Sequence, residues 1–427
     1  MAYLQLKSTN PSLSYILKKN PASGLFARSM RKGTLFGFYS LDDVQTYNVF
    51  FKDAPNEISY PEFKDQEFEY INATRYNSTQ FVLNALSELF RDAFKKPQEL
   101  DVDGHTSSVL LNLVCLSSKR TLDTFTHHFQ EECQIDAEQV SHKHYRMTFT
   151  TTRSIYYLLN LVNLFSTFNV IRSKTEFLFV DDETVEKYFQ CLAAIDAPYF
   201  IRYEFKTHLL RGQRRFEKYQ SLLENSKRYP MALKSGDSVE MRMDVITSYL
   251  NFNASVIDIG CGEGRYIWKI APKLAHGAKY HAIDIDQDCL ESVSHKVRVR
   301  ELTNVFTYPS LDAFETSDAL GDSTTGYDII LTEVIEHMSV PEATALVKRC
   351  LAFPKLRSLI LTTPNKDFNH FYFDEEDGVR HCDHKFEFTA EEFMNWLQEF
   401  SGCFDYLAVG DEVNGIPMSL GAVLRKE

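Results

Sequence analysis

Residues 256–266 read VIDIGCGEGRY: a short apolar run, three glycines at alternate positions, then a helix-like stretch. An unbroken apolar run of this length suits a strand buried on both faces. Glycine at the following turn lets the backbone take positive φ or approach a ligand closely. Working outward, the same beat repeats. RMDVITSYLNF (242–252) reads as a helix and GRYIWKIAPKLAH (264–276) as another. KYHAIDID (279–286) reads as a strand, DCLESVSHKV (288–297) as a helix and YDIILT (327–332) as a strand. VPEATALVKRCL (340–351) and SLILTTP (358–364) supply one more helix and strand. Such alternation predicts an α/β fold: a doubly wound, mainly parallel, Rossmann-like sheet.

A chain of 427 residues exceeds what one core ordinarily supports, so two domains are expected. The small, polar LKSGDS (233–238) reads as the boundary, giving domains 1–235 and 236–427. In the first, TLFGFYS (34–40), HYRMTFTTT (144–152) and EFLFV (176–180) read as strands. TQFVLNALSELFRDAF (79–94) and DETVEKYFQCLAAI (182–195) read as amphipathic helices, so this domain is expected to be α+β. Residues 198–230 form a basic, helix-patterned connector with Arg202, Lys206, Arg211, Arg214, Arg215 and Lys218. They suit a solvated charged face or a contact to nucleic acid or a partner.

The net charge of −13 is unevenly shared. Residues 1–235 carry 29 Lys+Arg against 27 Asp+Glu, and residues 236–427 carry 17 against 32. The second domain is therefore a poor candidate for holding nucleic acid by broad phosphate neutralisation. The start, MAYLQLKSTNPSLSYILKK, lacks a basic region followed by an apolar core, so no signal peptide is expected. SIYYLLNLVNLF (154–165) is the most membrane-like stretch, and Asn160 and Asn163 interrupt it. The eight cysteines form no C-x-x-C pair, which argues against a zinc ribbon and fits free thiols in the cytoplasm.

The glycine loop carries Asp258, Gly260, Gly262 and Gly264, and Asp284 ends the next strand. A carboxylate at Asp284 can accept bonds from both hydroxyls of a ribose. A dinucleotide loop works by the same logic but is spaced G-x-G-x-x-G. Here the spacing is G-x-G-x-G with an acid two residues earlier, the pattern of S-adenosylmethionine methyltransferases. That acid suits a cationic amino-acid tail better than a pyrophosphate.

TEVIEHM (332–338) places Glu333, Glu336 and His337 just beyond a strand. On a helix, these offsets would put all three on one face. Ligands in wound sheets sit beyond the carboxyl ends of the strands, so the three should point near the cofactor. RHCDHKFEF (380–388) adds His381 and His384. Carboxylate oxygens with imidazole nitrogens suit Mg²⁺ or Mn²⁺. Pro364 and Asn365 close the last strand where a substrate would be met, and Arg380 is a candidate phosphate partner. His337 and His381 are candidate proton acceptors for a hydroxyl.

VIDIGCGEGRY, AIDID, TEVIEHM, LTTPNKDFN and RHCDHKFEFTAEEF stand in the order found in small-RNA 3′-terminal ribose 2′-O-methyltransferases of the Hua-enhancer type. Residues 240–427 resemble that family. The resemblance implies methyl transfer from S-adenosylmethionine to the 2′-hydroxyl at an RNA 3′ end. It implies one divalent ion, Mg²⁺ or Mn²⁺, held by Glu333, Glu336, His337 and His384 and touching both hydroxyls of the terminal ribose. Phe388 stands where the family usually has tryptophan, which leaves the local packing open. NPSLSYILKKNPASGLFARSMRKGTLFGFYS (10–40) is similar, more weakly, to the bacterial branch. In that branch the first half serves RNA repair beside a kinase–phosphatase–ligase partner, whereas plant and animal relatives act on silencing RNAs. Two other readings are a non-catalytic first half that recruits a ligase, and a metal-dependent O-methyltransferase for a catechol-like diol.

Overall fold

Strands whose side chains alternate between core and solvent build the first unit, and strands buried on both faces build the second. The computed structural model describes residues 3–30, 33–53, 79–116, 118–173, 181–318, 326–372, 379–400 and 403–425. The chain divides into one unit of Met1–Leu210 with Ser221–Arg228 and another of Arg211–Gln220 with Tyr229–Glu427.

The first unit holds β1 (Tyr3–Ser8), β2 (Phe26–Met30), β3 (Gly33–Ser40), β4 (Asp43–Asp53), β5 (Ser107–Cys115), β6 (Gln134–Ser141) and β7 (His144–Thr151). They form an antiparallel sheet in the order β2-β3-β4-β1-β5-β7-β6. Leu4, Leu6, Val49, Val109, Leu111, Met147 and Phe149 are buried, the inward half of a period-two pattern. The helix Ile155–Ser173 is buried almost all round, and its N-terminus is held by Asp101, which accepts from Ile155 N and Tyr156 N at 2.7 and 2.8 Å. Asn160, which interrupts the membrane-like stretch, donates to Phe94 O and Tyr156 O. Among the described residues no helix is long and apolar enough to cross a membrane. The expected strand EFLFV lies outside the described residues.

The basic connector forms two helices, Tyr199–Leu209 and Gln213–Glu224, and not all of it faces solvent. Arg202 is fully buried and Lys206 nearly so. The Arg202 guanidinium donates to Ala197 O, Leu223 O and Leu192 O and faces Asp196. A charge this deep is held by such bonds, so Arg202 stitches helix ends together and is not a surface phosphate contact.

The second unit adds β8 (Met231–Ala232), β9 (Ser255–Ile259), β10 (Tyr280–Ile283), β11 (Val305–Tyr308), β12 (Tyr327–Thr332), β13 (Leu356–Pro364), β14 (Cys403–Val413) and β15 (Ile416–Arg425). Their order is β11-β10-β9-β12-β13-β15-β14-β8. The strands β9 to β13 run parallel, and β15, β14 and β8 antiparallel. Val256, Ile330 and Ile360 pack on one face, and Ile257, Ile259, Ile329, Leu331, Leu359 and Leu361 on the other. Both faces are thus covered, as a wound sheet requires. Strand order reverses between β9 and β12, which opens a crevice at the carboxyl ends of these strands. The expected helix 264–276 is shorter than its pattern: one turn, Ile267–Ile270, then a 3-10 turn, Ala271–Lys273. Pro272 has no N–H and cannot continue the helical ladder.

Candidate active site

The glycine loop leaves β9 at its carboxyl end. Gly260 takes φ +75°, and a Cβ there would lie 2.4 Å from Val334 Cγ2. Glycine is thus required both by the turn and by the close pass of the TEVIEHM segment. Gly264, at φ +76°, is hemmed in by Ile267 and Val293. The amide of Gly262 donates to Asp284 Oδ2 at 2.6 Å, and Asp286 N donates to Asp284 Oδ1 at 2.9 Å. Asp284 therefore braces the loop from the end of β10. Asp258 is fully buried. Its Oδ2 accepts from Tyr280 Oη at 2.6 Å, while Oδ1 has no partner. Burial, with the nearby Asp284 charge adding to it, pushes the Asp258 carboxyl up to about 7 against the Tyr280 bond.

TEVIEHM does not form an α-helix. Glu333 sits in the left-handed region at φ +53°, and Ile335–His337 make a 3-10 turn. The reason is local. Glu333 N still bonds Thr362 O of β13, so the chain is held in the sheet one residue past β12 and must turn sharply. Two neighbouring threonines of β13 hold the two acids. Thr362 Oγ1 donates to Glu333 Oε1, and Thr363 Oγ1 donates to Glu336 Oε2, each at 3.1 Å. The other Glu333 oxygen faces Arg242 at 3.4 Å. Glu336 is fully buried and its Oε1 has no partner. Burial first, then the Glu333 charge, raises the Glu336 carboxyl well above the ordinary range, with the Thr363 bond and Arg242 opposing.

The RHCDHKFEF segment folds onto this turn. Lys385 N donates to Glu336 O at 2.7 Å. His337 and His384 then meet edge to face, ring centres 4.9 Å apart. Ligand atoms of Glu336, His337 and His384 all lie within 4.8 Å of one another. His337 Nδ1 faces Asp383 Oδ2 at 3.1 Å, and His384 Nδ1 faces Glu387 Oε1 at 2.6 Å. An ionised carboxylate only accepts, so each Nδ1 is a donor, and in the neutral ring each Nε2 keeps its lone pair. Burial works to raise the Glu387 carboxyl, but bonds from His384, Asn369 and Arg380 outweigh it and hold Glu387 below its usual range.

This donor set fits a divalent cation. It offers an unpartnered buried carboxylate oxygen and two imidazole lone pairs, a mixture that suits a borderline divalent ion such as Mn²⁺ better than the harder Mg²⁺. Glu333 stands outside the group, in the hold of Arg242 and Thr362. His381 is largely exposed, with Nδ1 at 2.5 Å from Asp383 Oδ1.

Two expected substrate contacts are engaged within the chain. Asn365 is fully buried, donates to Pro417 O and caps the following turn through Asp367 N. The Arg380 guanidinium donates to Asn369 Oδ1, Asn365 O and Met418 O. Phe388 is buried against Phe393 and Trp396, so a tryptophan from the next helix fills out the packing there. Arg242, Thr362, Thr363, Asp383 and Glu387 belong to the site but were not singled out by spacing. The strongest signal for one of them is a glutamate three residues after His384.

Residues 3–228, more than half of the chain, match the family model of the Hen1 N-terminal domain. Residues 257–353 match that of a methyltransferase domain. The small RNA 2′-O-methyltransferase of Caenorhabditis elegans is 38% identical over 93 residues, 22% of this chain and 21% of that protein. That of Rattus norvegicus is 27% identical over 164 residues, 35% of this chain and 39% of that protein. The match thus spans about a fifth to two fifths of these relatives' length. In fold, the chain is similar over 99% of its length, and over all of the other chain, to one solved within the Pnkp1/Rnl/Hen1 RNA repair complex. The TM-score is 0.81 and the identity 24%.

Proposed function

The chain belongs to the Hen1 N-terminal domain family, and from that premise we propose that its second unit methylates the 2′-hydroxyl of the 3′-terminal ribose of RNA, with S-adenosylmethionine as donor. One observation carries this reading. The Asp258–Gly264 loop and the Glu336–His337–His384 cluster stand at the carboxyl ends of neighbouring strands of one sheet, with Gly260 against Val334 of the cluster's own segment. A methyl donor in the loop would therefore face whatever the cluster holds.

Each residue has a task in this reading. Asp258 faces the cationic tail of the donor, and Asp284 stands beside its ribose while bracing Gly262. Glu336, His337 and His384 would hold a divalent ion, which would supply the positive charge that makes a ribose hydroxyl more acidic. Glu333, named as a fourth ligand by family resemblance, is fixed beside them by Arg242 and Thr362. His337 cannot both donate Nδ1–H to Asp383 and ligate through Nε2 and still accept a proton. We therefore assign proton acceptance to His381, whose Nδ1 is steadied by Asp383. A cluster that recognises adjacent 2′ and 3′ hydroxyls selects RNA ends without a broad basic surface. Eight free cysteines fit a reducing compartment, and we place the reaction in the cytoplasm.

For the first unit we propose a role in RNA repair beside a kinase–phosphatase–ligase partner. The Hen1 N-terminal match and the full-length likeness to a chain solved in a repair complex support it. Capture of a ligase by the full chain, lost on deletion of residues 3–228, would support this role; undiminished capture would refute it.

The test of methyl transfer uses labelled S-adenosylmethionine, Mn²⁺ or Mg²⁺, and RNAs ending in a 2′,3′-diol, a 2′-deoxyribose or a 3′-phosphate. Label should enter the diol-ended RNA alone. Equal labelling of all three would refute diol recognition.

A further inference from the structure

His384 is one ligand candidate among three, and the segment that carries it has a support of its own. Glu387 is fully buried and both its oxygens are engaged. Oε1 accepts from His384 Nδ1 at 2.6 Å and from Arg380 N at 2.7 Å, and Oε2 accepts from Asn369 Nδ2 at 2.5 Å. Asn369 accepts in turn from Arg380 Nε at 2.8 Å. Arg380 is pinned to the ends of two strands through Asn365 O and Met418 O. The ring of His384 therefore hangs from a closed set of bonds anchored just past the end of β13 and in β15. Arg380, whose residue type suggests a phosphate contact, spends its Nε and Nη2 donors inside this set.

An imidazole in water prefers neither a fixed direction nor one tautomer strictly. A buried carboxylate facing Nδ1 imposes both, because it can only accept. We propose that Glu387 is a positioning residue: held by Arg380 and Asn369, it keeps the proton of His384 on Nδ1 and aims the Nε2 lone pair at the space shared with Glu336 and His337. Partners of this kind raise ligand basicity and fix ring orientation, and losing one typically weakens metal binding about 10–100-fold. The purpose of the arrangement rests on the metal reading above, but the tautomer itself does not.

The test uses the full chain and two readouts. The first is the tautomer of His384 in metal-free protein, from long-range ¹H–¹⁵N spectra recorded above the histidine titration range, assigned with His384→Gln. The second is the Mn²⁺ dissociation constant from electron paramagnetic resonance. In the parent protein the proton should sit on Nδ1. Glu387→Leu should move it toward Nε2 and weaken Mn²⁺ binding about 10–100-fold. Glu387→Gln keeps an acceptor oxygen, so it should retain the Nδ1–H tautomer at least in part and lose less affinity than Glu387→Leu. It also serves if the leucine variant does not fold. A parent protein with the proton on Nε2 would overturn the proposal, as would a folded Glu387→Leu with tautomer and affinity unchanged. A parent protein that shows the Nδ1–H tautomer yet binds no Mn²⁺ would refute the metal reading and leave this positioning role standing.

Discussion

The backbone N–H of Lys385 donates to the carbonyl of Glu336 at 2.7 Å. With the contact of His337 Nδ1 to Asp383 Oδ2 at 3.1 Å, this bond joins two segments far apart in sequence, the turn after β12 and the loop before the helix Ala390–Leu397. Between them they set His384 beside His337, which completes the three-donor cluster with Glu336. The consequences can be tested one at a time.

Glu336 buries a carboxylate oxygen without a partner, next to a second carboxylate. Such a group destabilises the metal-free fold, and glutamine relieves its charge at constant shape. In chelator-treated protein, Glu336→Gln should raise Tm by a few degrees, about 1–2 kcal/mol. Added Mn²⁺ should raise the parent's Tm and leave that of Glu336→Gln unchanged, because a ligand stabilises only the state that binds it. Thermal scans with and without Mn²⁺ check both.

The glycines should not be equivalent. Gly260→Ala meets Val334 at 2.4 Å and also strains a φ of +75°, whereas Gly262→Ala has open space and only the strain of φ +50°. Gly262→Ala should cost about 1 kcal/mol and Gly260→Ala about 2–4 kcal/mol. Denaturant titration orders them, and equal losses would show that the pass against Val334 is not tight.

Asp258 gives a pH dependence with a definite sign. Its folded-state value of about 7 lies above that of an unfolded aspartate, so the folded protein binds the extra proton between them. Stability contributed at this site is therefore present at low pH and lost as pH rises from about 4 to about 7. The groups facing Asp258, Tyr280, Cys261 and Asp284, supply no positive charge. A cationic donor tail would, so S-adenosylmethionine should bind more tightly as pH rises through about 7, with proton release. Calorimetry in buffers of different ionisation enthalpy measures that release, and Asp258→Asn should abolish it.

His381 is the assigned proton acceptor and lies outside the three-donor group. His381→Gln should lower kcat about 10²–10⁴-fold while changing the Mn²⁺ dissociation constant little. A variant that loses Mn²⁺ in proportion to activity would make His381 a metal ligand instead.

Much of the second unit is legible in sequence because its strands are buried on both faces. SVIDI, YDIILT and the core of LRSLILTTP are near-continuous apolar runs, and the glycine loop marks where the first of them ends. The site is legible less fully. Glu336, His337 and His384 carry metal-ligand chemistry in their side chains, so pattern suffices to propose them. Thr362 and Thr363 look like ordinary strand formers, and their role comes from parallel pairing with β12. Arg242 reaches Glu333 only through tertiary packing. The antiparallel return of β14 and β15 breaks the strand–helix beat, although its turn carries a clear local signal. Asn414 and Gly415 both take positive φ, as an Asn-Gly hairpin turn requires. The helical spacing of TEVIEHM does not survive in the structure, where the segment makes a 3-10 turn. Helical spacing cannot anticipate that Glu333 N stays bonded to β13.

Transfer of a methyl group to the 2′-oxygen of the last ribose can be read out directly. RNA treated with the protein, S-adenosylmethionine and Mn²⁺ can be digested to nucleosides and analysed by mass spectrometry with the 3′-terminal nucleoside resolved. A 2′-O-methyl group should appear on that nucleoside and none on internal positions. A methyl group on a base or an internal ribose would contradict transfer to the terminal 2′-oxygen.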